Sequence, residues 1–186
     1  ANEEATRVDY ILSSVDATTR KTILDTFNEE DEPPLYKACS TGSINIVNLL
    51  IKHSVNVNQQ TGDKHQKAGE TGLMYSSCNG QLQIVQTLLK NGADVSITSK
   101  DGCDATYYAA EEGQLQVFQE IVKHDPRFVD RKGLRGRTPL IIASECGHIA
   151  IVRELLKMKV EINAQDVNGW TALMHLSLIH ISEPTR

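Results

Sequence analysis

The chain repeats one pattern of residues at a nearly constant interval, and this repetition limits its possible folds more than any other feature. Each copy has a glycine, an apolar pair four residues later, and a second apolar pair four residues after the first. A period of roughly 20 to 50 residues is typical of solenoids and other repeat proteins. We therefore expect a stack of similar units. The glycines, at intervals of 38, 33 and 34 residues, are Gly42, Gly80, Gly113 and Gly147.

The apolar pairs predict a helix after each glycine. Ile84-Val85 is followed by Leu88-Leu89, and Ile151-Val152 is followed by Leu155-Leu156. Residues four apart lie on the same face of an α-helix, so both pairs face one side. A shorter helix is expected before each glycine, with Thr138 placed to cap its first N–H groups.

The same residues resemble the ankyrin repeat family, whose pattern is TPLHxAxxxG followed by IVxxLLxxGADVN. The resemblance covers about Val8 to His175, and it implies an all-α fold. The implied architecture is an ankyrin-repeat solenoid of stacked helix-turn-helix units with projecting β-hairpin loops. The stretches that carry it are Thr138-Pro139-Leu140 with Ala143 and Gly147-His148, Gly92 to Val95, and Asn168 to His175.

The register divides the chain into units of unequal regularity. Residues 1-32 are interpreted as a partial N-terminal repeat, cut at the front, with a long connection. Five extra residues within 59–69 predict a lengthened loop in the first complete unit. The units that follow are residues 33-70, 71-103, 104-137 with a degenerate hairpin, 138-170, and 171-175 as the start of a truncated repeat.

The segment Leu176 to Arg186 departs from the register. The repeat predicts a glycine near position 180 and an apolar pair at 184 and 185, where the chain has His180, Pro184 and Thr185. Proline inside a helix costs about 3 kcal/mol. The letters LSLIHISEPTR resemble a translated sequencing-library adapter. We therefore expect the natural sequence to stop near His175 and further repeats to be lost.

Composition and motifs narrow the function classes. The net charge of −5 favours neither nucleic acid nor membrane as a partner. No phosphate-binding loop, dinucleotide fingerprint or hydrolase motif occurs, so we expect no enzyme activity, no cofactor and no metal. Without a signal peptide or membrane span, an intracellular, cytoplasmic location is expected, with the nucleus as an alternative. The cysteines, interpreted as reduced thiols, are Cys39, Cys78, Cys103 and Cys146.

Ankyrin repeats usually hold partners with their hairpin tips and first helices, which line a concave groove. The resemblance therefore implies partner-binding residues beside each repeat start and before each glycine. Each one can equally be solvated surface, since a minority of interface residues carry large energies. The set is Lys67, Glu70, Asn79, Lys100, Asp101, Glu111, Glu112, Arg135, Arg137, Glu145 and Trp170, and the same register includes Cys78, Cys103, Leu134, Cys146, Val167 and Asn168.

Three features carry open alternatives. Trp170 is the leading single candidate because Trp is enriched in binding hot spots, or else it packs on the neighbouring hairpin. The acidic run Glu29 to Glu32 is expected to be a solvated connection. A basic loop holds an acidic peptide or a carboxylate, or else it is solvated or satisfied within the fold by Glu111, Glu112 and Glu145. Its residues are Arg127, Arg131, Lys132, Arg135 and Arg137, against Asp130.

The histidines have a structural interpretation. His148 and His175 occupy positions where, in this family, histidine supports loops through hydrogen bonds, and we expect that role here.

The leading function is a protein-protein interaction scaffold or adaptor. A first alternative is the substrate-recognition subunit of a cullin-type ubiquitin ligase. Its basis is the long connection before Pro33 and the extended first loop, which resemble those of Fem-type receptors. A second is the regulatory ankyrin region of a larger enzyme or channel. The repeat array favours the first of the three functions.

Overall fold

The computed structural model describes the backbone of residues 2–182 and the side chains of residues 3–177. Within that part of the chain all named elements are helical, which confirms the predicted all-α solenoid. Two short 3₁₀ turns, Pro126–Phe128 and Leu134–Gly136, lie between the third and fourth pairs. The helices are α1 (Asn2–Ser14), α2 (Ala17–Asp25), α3 (Pro34–Ser40), α4 (Ile44–Lys52), α5 (Gly72–Cys78), α6 (Leu82–Lys90), α7 (Ala105–Glu111), α8 (Leu115–His124), α9 (Pro139–Glu145), α10 (Ile149–Lys157) and α11 (Ala172–Ser182).

The helices form two layers. The first layer stacks α3, α5, α7, α9 and α11 in that order, and the second stacks α1, α4, α6, α8 and α10. The pair of α5 and α6 joins the two layers across a turn that contains Gly80, and α7 with α8 and α9 with α10 do the same with Gly113 and Gly147. Gly113 has φ +72°, and a Cβ there would collide with the His148 ring of the next repeat, so both backbone and space require glycine.

Helices α5, α7 and α9 are each capped by a side chain at their start, whereas α3 begins after Pro33 without a side-chain cap. The side-chain oxygen of Thr71 accepts a hydrogen bond from the N–H of Met74 at 3.3 Å. Asp104 does the same for Tyr107 at 2.9 Å. These bonds satisfy N–H groups that have no partner inside the helix, which is why helices α5 and α7 begin where they do.

The apolar pairs form the core between the layers. Val85 and Leu88 are fully buried, as are their counterparts Ile151 and Leu155. The exposed fraction of the last residue in the second apolar pair differs between the middle and the end of the stack. Leu89 is 5% exposed, whereas Leu156 is 53% exposed because no described helix follows α10 in its layer.

The loops correct one part of the prediction, since they are closed turns rather than β-hairpins with paired strands. The N–H of Ser99 donates to the carbonyl of Cys103 at 2.8 Å, and the equivalent bond joins Gly133 to Arg137. A loop closed between residues four apart leaves no length for a strand ladder. Only Gln60 and Thr71 form an antiparallel bridge in the described residues.

Helix α11 passes through position 180, where the repeat register predicts a glycine that ends the helix. Residues 183–186, and all side chains after residue 177, lie outside the described structure. The interpretation of Leu176 to Arg186 as a non-native tail therefore stays a prediction.

Candidate functional site

The ends of neighbouring first-layer helices lie side by side along one surface. Because α5, α7 and α9 pack in sequence, the residues just before each glycine form a row. Asn79, Glu112 and Cys146 are exposed there, and Glu111 and Glu145 are partly buried. We call these five residues the helix-end row.

Side chains from the loops reach the row from one side. The Lys67 ammonium lies 5.7 Å from the centre of the Tyr108 ring on α7. The Arg137 guanidinium forms an ion pair with Glu145 on α9, with 2.9 Å between Nη2 and Oε1. Loops and helix ends therefore form one continuous surface of mixed charge.

Glu111 is a partly buried carboxyl group of this surface, close enough to Lys67 and Arg137 for their charges to oppose the rise of its pKa. Burial raises the pKa of Glu111, and the negative charge of Glu112 raises it further. Among the described residues, no side-chain hydrogen bond or ion pair reaches its carboxylate. A partly buried carboxylate without a donor is unfavourable, so a cation or donor from outside would stabilise it.

A pocket of about 620 Å³ lies at the end of this surface nearest the N-terminus. It is bounded by α3, by the connection before α3, by Tyr75 of α5 and by the extended loop. We call it the α3 pocket. Its lining residues are Glu30, Glu32, Tyr36, Lys37, Ser40, Lys64, His65, Gln66, Lys67 and Tyr75.

Comparison with known proteins identifies the family. A family model described as ankyrin repeats, in three copies, matches residues 2–101 and 106–181. The chain belongs to the ankyrin repeat family. It is thus a protein–protein interaction module of a fold that is typically not catalytic.

The ankyrin relatives are longer proteins of different kinds. Human transient receptor potential cation channel subfamily A member 1 is 29% identical over 91% of this chain and 18% of the channel. An ankyrin repeat-containing protein of Schizosaccharomyces pombe is 31% identical over 78% of this chain and 62% of its own length. The palmitoyltransferase AKR1 of Lachancea kluyveri is 27% identical over 87% of this chain and 22% of the enzyme. The chain therefore spans less than two thirds of each of these relatives.

Glu70 is a correction to the predicted set of partner-binding residues. It is 1% exposed, and its carboxylate accepts a hydrogen bond from the Tyr36 hydroxyl at 2.9 Å. Lys67 approaches the same carboxylate at 3.8 Å. Glu70 therefore links two ankyrin repeats from within, because its side chain turns towards Tyr36 on the preceding first helix. Cys103, at the same register, is buried as well.

Trp170 contacts the helix that follows it rather than a neighbouring loop. Its ring lies 5.3 Å from that of His175 on α11, and its main-chain N–H donates to the Asp166 carboxylate at 2.9 Å. The side chain of His175 in turn contacts Asp166 at 3.3 Å. Trp170 nevertheless remains 37% exposed at the edge of the ankyrin array. His148 supports the preceding repeat as predicted, with 2.7 Å between Nε2 and the carbonyl oxygen of Glu111.

Most of the predicted basic loop is satisfied within the ankyrin fold. Arg127 pairs with Asp125 at 2.6 Å. Arg131 donates to the carbonyl of Ser96. Of the three predicted glutamates, Glu145 is the one that pairs with this loop, through Arg137. The exposed loop-tip residues that remain available are Lys100, Asp101 and Arg135, although Lys100 also contacts Asp63 at 2.6 Å.

The acidic run before α3 also differs from its predicted role as a solvated connection. Glu32 is 7% exposed rather than solvated. Burial alone would raise the pKa of Glu32, but hydrogen bonds from Asn28 and Lys37 outweigh burial and lower it. The sequence signal for this arrangement is a pair of departures from the ankyrin pattern, the long connection before α3 and the five-residue excess after α4, which flank the same helix pair.

The described residues carry no group of three or more His, Cys, Asp or Glu side chains placed to hold a metal ion. All four cysteines are free thiols. Within residues 2–182, no helix combines the length and the apolar character that crossing a membrane requires.

Proposed function

We propose that this ankyrin array binds a partner protein through the helix-end row and the exposed loop residues beside it, where the family resemblance implies a concave groove. The observation that carries the proposal is the Glu111 carboxylate, which is partly buried, lacks a donor and lies next to exposed Glu112. When no partner is bound, such an unpaired carboxylate contributes no stabilising contact to the fold. A partner that supplies a lysine, arginine or backbone N–H would satisfy it.

The partner-binding set keeps the exposed and partly exposed candidates. Arg137 pairs with Glu145 through Nη2 and Oε1, which leaves Arg137 Nε and Glu145 Oε2 buried without a hydrogen-bond partner in the described part of the chain. Trp170 offers a partly exposed ring at the far end of the row. The proposed contacts are Lys67, Asn79, Lys100, Asp101, Glu111, Glu112, Arg135, Arg137, Glu145 and Trp170. We propose an intracellular, cytoplasmic location for this binding, with protein rather than nucleic acid as the partner.

Site-specific photo-crosslinking tests this proposal. A photoreactive amino acid replaces Asn79 or Glu112 in the row and, as a control, Gln119, which is exposed on α8 in the second layer. The expected result is a discrete crosslinked protein from positions 79 and 112 that is missing from position 119. Equal crosslinking from all three positions, or from position 119 alone, would contradict the groove as the binding surface.

A second candidate is the ankyrin region of a larger channel or enzyme. It is favoured by the alignment with the human channel, which extends over 91% of this chain but only 18% of that protein. A cullin-type ligase subunit would instead need an adaptor-binding segment elsewhere in a longer protein. Sequencing the complete transcript separates these candidates, because each requires a different domain in the same reading frame.

A further inference from the structure

The α3 pocket is built by two segments that the regular repeats of this chain lack. The main-chain N–H of Gly62, in the extended loop, donates to the carbonyl of Asp31 at 2.9 Å. The N–H of Lys64 donates to the Asp31 carboxylate at 3.0 Å. These two bonds attach the extended loop to the connection before α3, so the pocket has a wall on each side.

The extended loop is also held internally. The hydroxyl of Thr61 donates to the carbonyl of Lys67 at 2.8 Å and accepts from the N–H of Glu70 at 3.0 Å. The main-chain N–H of Lys67 donates to Nδ1 of His65 at 3.2 Å. A loop that is already ordered loses little further entropy when a ligand binds. Lys64 and Lys67 therefore extend from a loop whose backbone is held in place by hydrogen bonds.

An aromatic cluster forms the floor of the pocket. The Tyr36 ring lies 5.3 Å from the His65 ring and 5.2 Å from the Tyr75 ring, in edge-to-face arrangements. Tyr75 is partly exposed and is the part of this cluster on α5. The floor therefore offers apolar contact below a charged rim, which is the usual composition of a small binding site.

The acidic and basic side chains of the pocket rim differ in how fully they are paired within the fold. Glu30 and Glu32 both contact Lys37, at 3.1 Å and 3.0 Å. Glu32 also contacts Asn28 at 2.8 Å and His65 at 3.6 Å. The acidic side is therefore partly compensated within the fold, by one lysine for two carboxylates.

The two lysines on the basic side of the pocket have no close ion-pair partner within the described part of the fold. Lys67 is 54% exposed, and its distance of 3.8 Å from Glu70 is long for an ion pair. Lys64 lines the pocket, and its ammonium forms no ion pair among the described residues. An anionic ligand thus finds two available cations on a single wall.

We propose that the α3 pocket binds a carboxylate of a partner peptide, held by Lys64 and Lys67 while the neighbouring peptide atoms contact Tyr75. The inference rests on the proposed function, because it assigns one end of the groove to one chemical group of the partner. A phosphate fits less well, since its second negative charge would increase repulsion from Glu30 and Glu32. The carboxylate comes from an Asp or Glu side chain or from the end of a chain.

Fluorescence anisotropy with three labelled hexapeptides tests the inference and separates the two sources. The acidic probe has four glutamates and an amidated C-terminus. The second probe has four glutamines and a free C-terminus, and the blank has four glutamines and an amidated C-terminus. The 186-residue chain is expected to bind one of the first two probes at least about tenfold more tightly than the blank.

Two variants with equal loss of charge identify the site. Lys64→Ala with Lys67→Ala is expected to weaken binding about tenfold or more, because both charge-assisted contacts are lost. The control, Lys123→Ala with Lys159→Ala, removes exposed lysines elsewhere and is expected to bind like wild type. Thermal unfolding of each variant checks folding, and Lys64→Ala alone provides a milder version.

Equal binding of all three probes, or an equal loss in both double variants, would overturn the carboxylate assignment. This failure is distinguishable from failure of the proposed function. If positions 79 and 112 crosslink to a partner while neither carboxylate probe binds, the result supports the helix-end row as the binding surface and contradicts only the assignment of the α3 pocket.

Discussion

Gly62 and Asp31 are joined by a main-chain hydrogen bond of 2.9 Å between two segments that are 31 residues apart in sequence. The bond connects the long connection before α3 to the extended loop after α4, and it closes one wall of the α3 pocket. A Cβ on residue 62 would overlap the Asp31 carboxylate, so a larger residue forces that side chain to move and to give up its bond from the Lys64 N–H.

Gly62→Ala is therefore expected to destabilise the chain by about 1–3 kcal/mol, the usual cost of forcing extra atoms into a packed site. The midpoint of urea unfolding measures the change. Gln66→Ala, an exposed substitution in the same loop, serves as the control and should lie within about 0.5 kcal/mol of wild type. A Gly62→Ala midpoint equal to that of the control would show that the two segments are not packed as described.

Tyr36→Phe removes the hydroxyl that donates to buried Glu70. The Glu70 carboxylate then keeps the long contact with Lys67 and the neighbouring Tyr108 hydroxyl, so a loss of about 1–3 kcal/mol is expected. Tyr75→Phe changes a partly exposed ring of the same cluster and should have little effect. Unfolding by denaturant compares the two variants, and equal losses would argue against a specific role for the Tyr36 hydroxyl.

Glu111→Gln is expected to stabilise the folded chain at neutral pH. Burial, followed by the charge of Glu112, raises the folded-state pKa of Glu111 above 4.5. A carboxyl whose pKa is raised by folding destabilises the native state at a pH above that folded-state value. As pH falls below about 4.5, the wild-type group is protonated in both states and the difference disappears.

Thermal unfolding of wild type and Glu111→Gln from pH 7 to pH 4 measures this effect. The gap in Tm should be largest at neutral pH and should close towards pH 4. Glu112→Gln, at the exposed neighbour, is the matched control and should give a smaller gap. A Glu111→Gln variant less stable than wild type at pH 7 would contradict the account of an unsatisfied carboxylate.

Leu89 and Leu156 occupy the same position in two repeats but differ in exposure, 5% against 53%. Leu89→Ala is expected to cost about 2–5 kcal/mol because it leaves a cavity between α6 and its neighbours. Leu156→Ala should change the free energy of unfolding by less than about 0.5 kcal/mol. Denaturant unfolding compares them, and similar losses would mean that Leu156 is covered in solution.

The sequence predicts the regular part of the molecule well. The period of glycines and apolar pairs places helices α3 to α10, and the caps at Thr71 and Asp104 follow from residue type alone. These features depend on contacts within one repeat or between adjacent repeats in a fixed register, so one pattern describes them all.

The irregular part could not be predicted in the same way. The contact of Asp31 with Gly62 joins two departures from the repeat, and no periodic rule states that such segments meet. The burial of Glu70 and Glu32 depends on Tyr36, Lys37 and Asn28 turning towards them. Charged residues are usually exposed, so residue type alone favours a solvated surface for both glutamates.

The most direct test of the central claim is the affinity of the crosslinked partner for two variants that lose the same charge. Glu111→Gln with Glu112→Gln changes the helix-end row, and Glu3→Gln with Glu4→Gln changes two exposed residues of α1. Calorimetry should show at least about tenfold weaker binding for the row variant and wild-type binding for the α1 variant. Equal affinity of both variants would contradict the assignment of the helix-end row as the partner-binding surface.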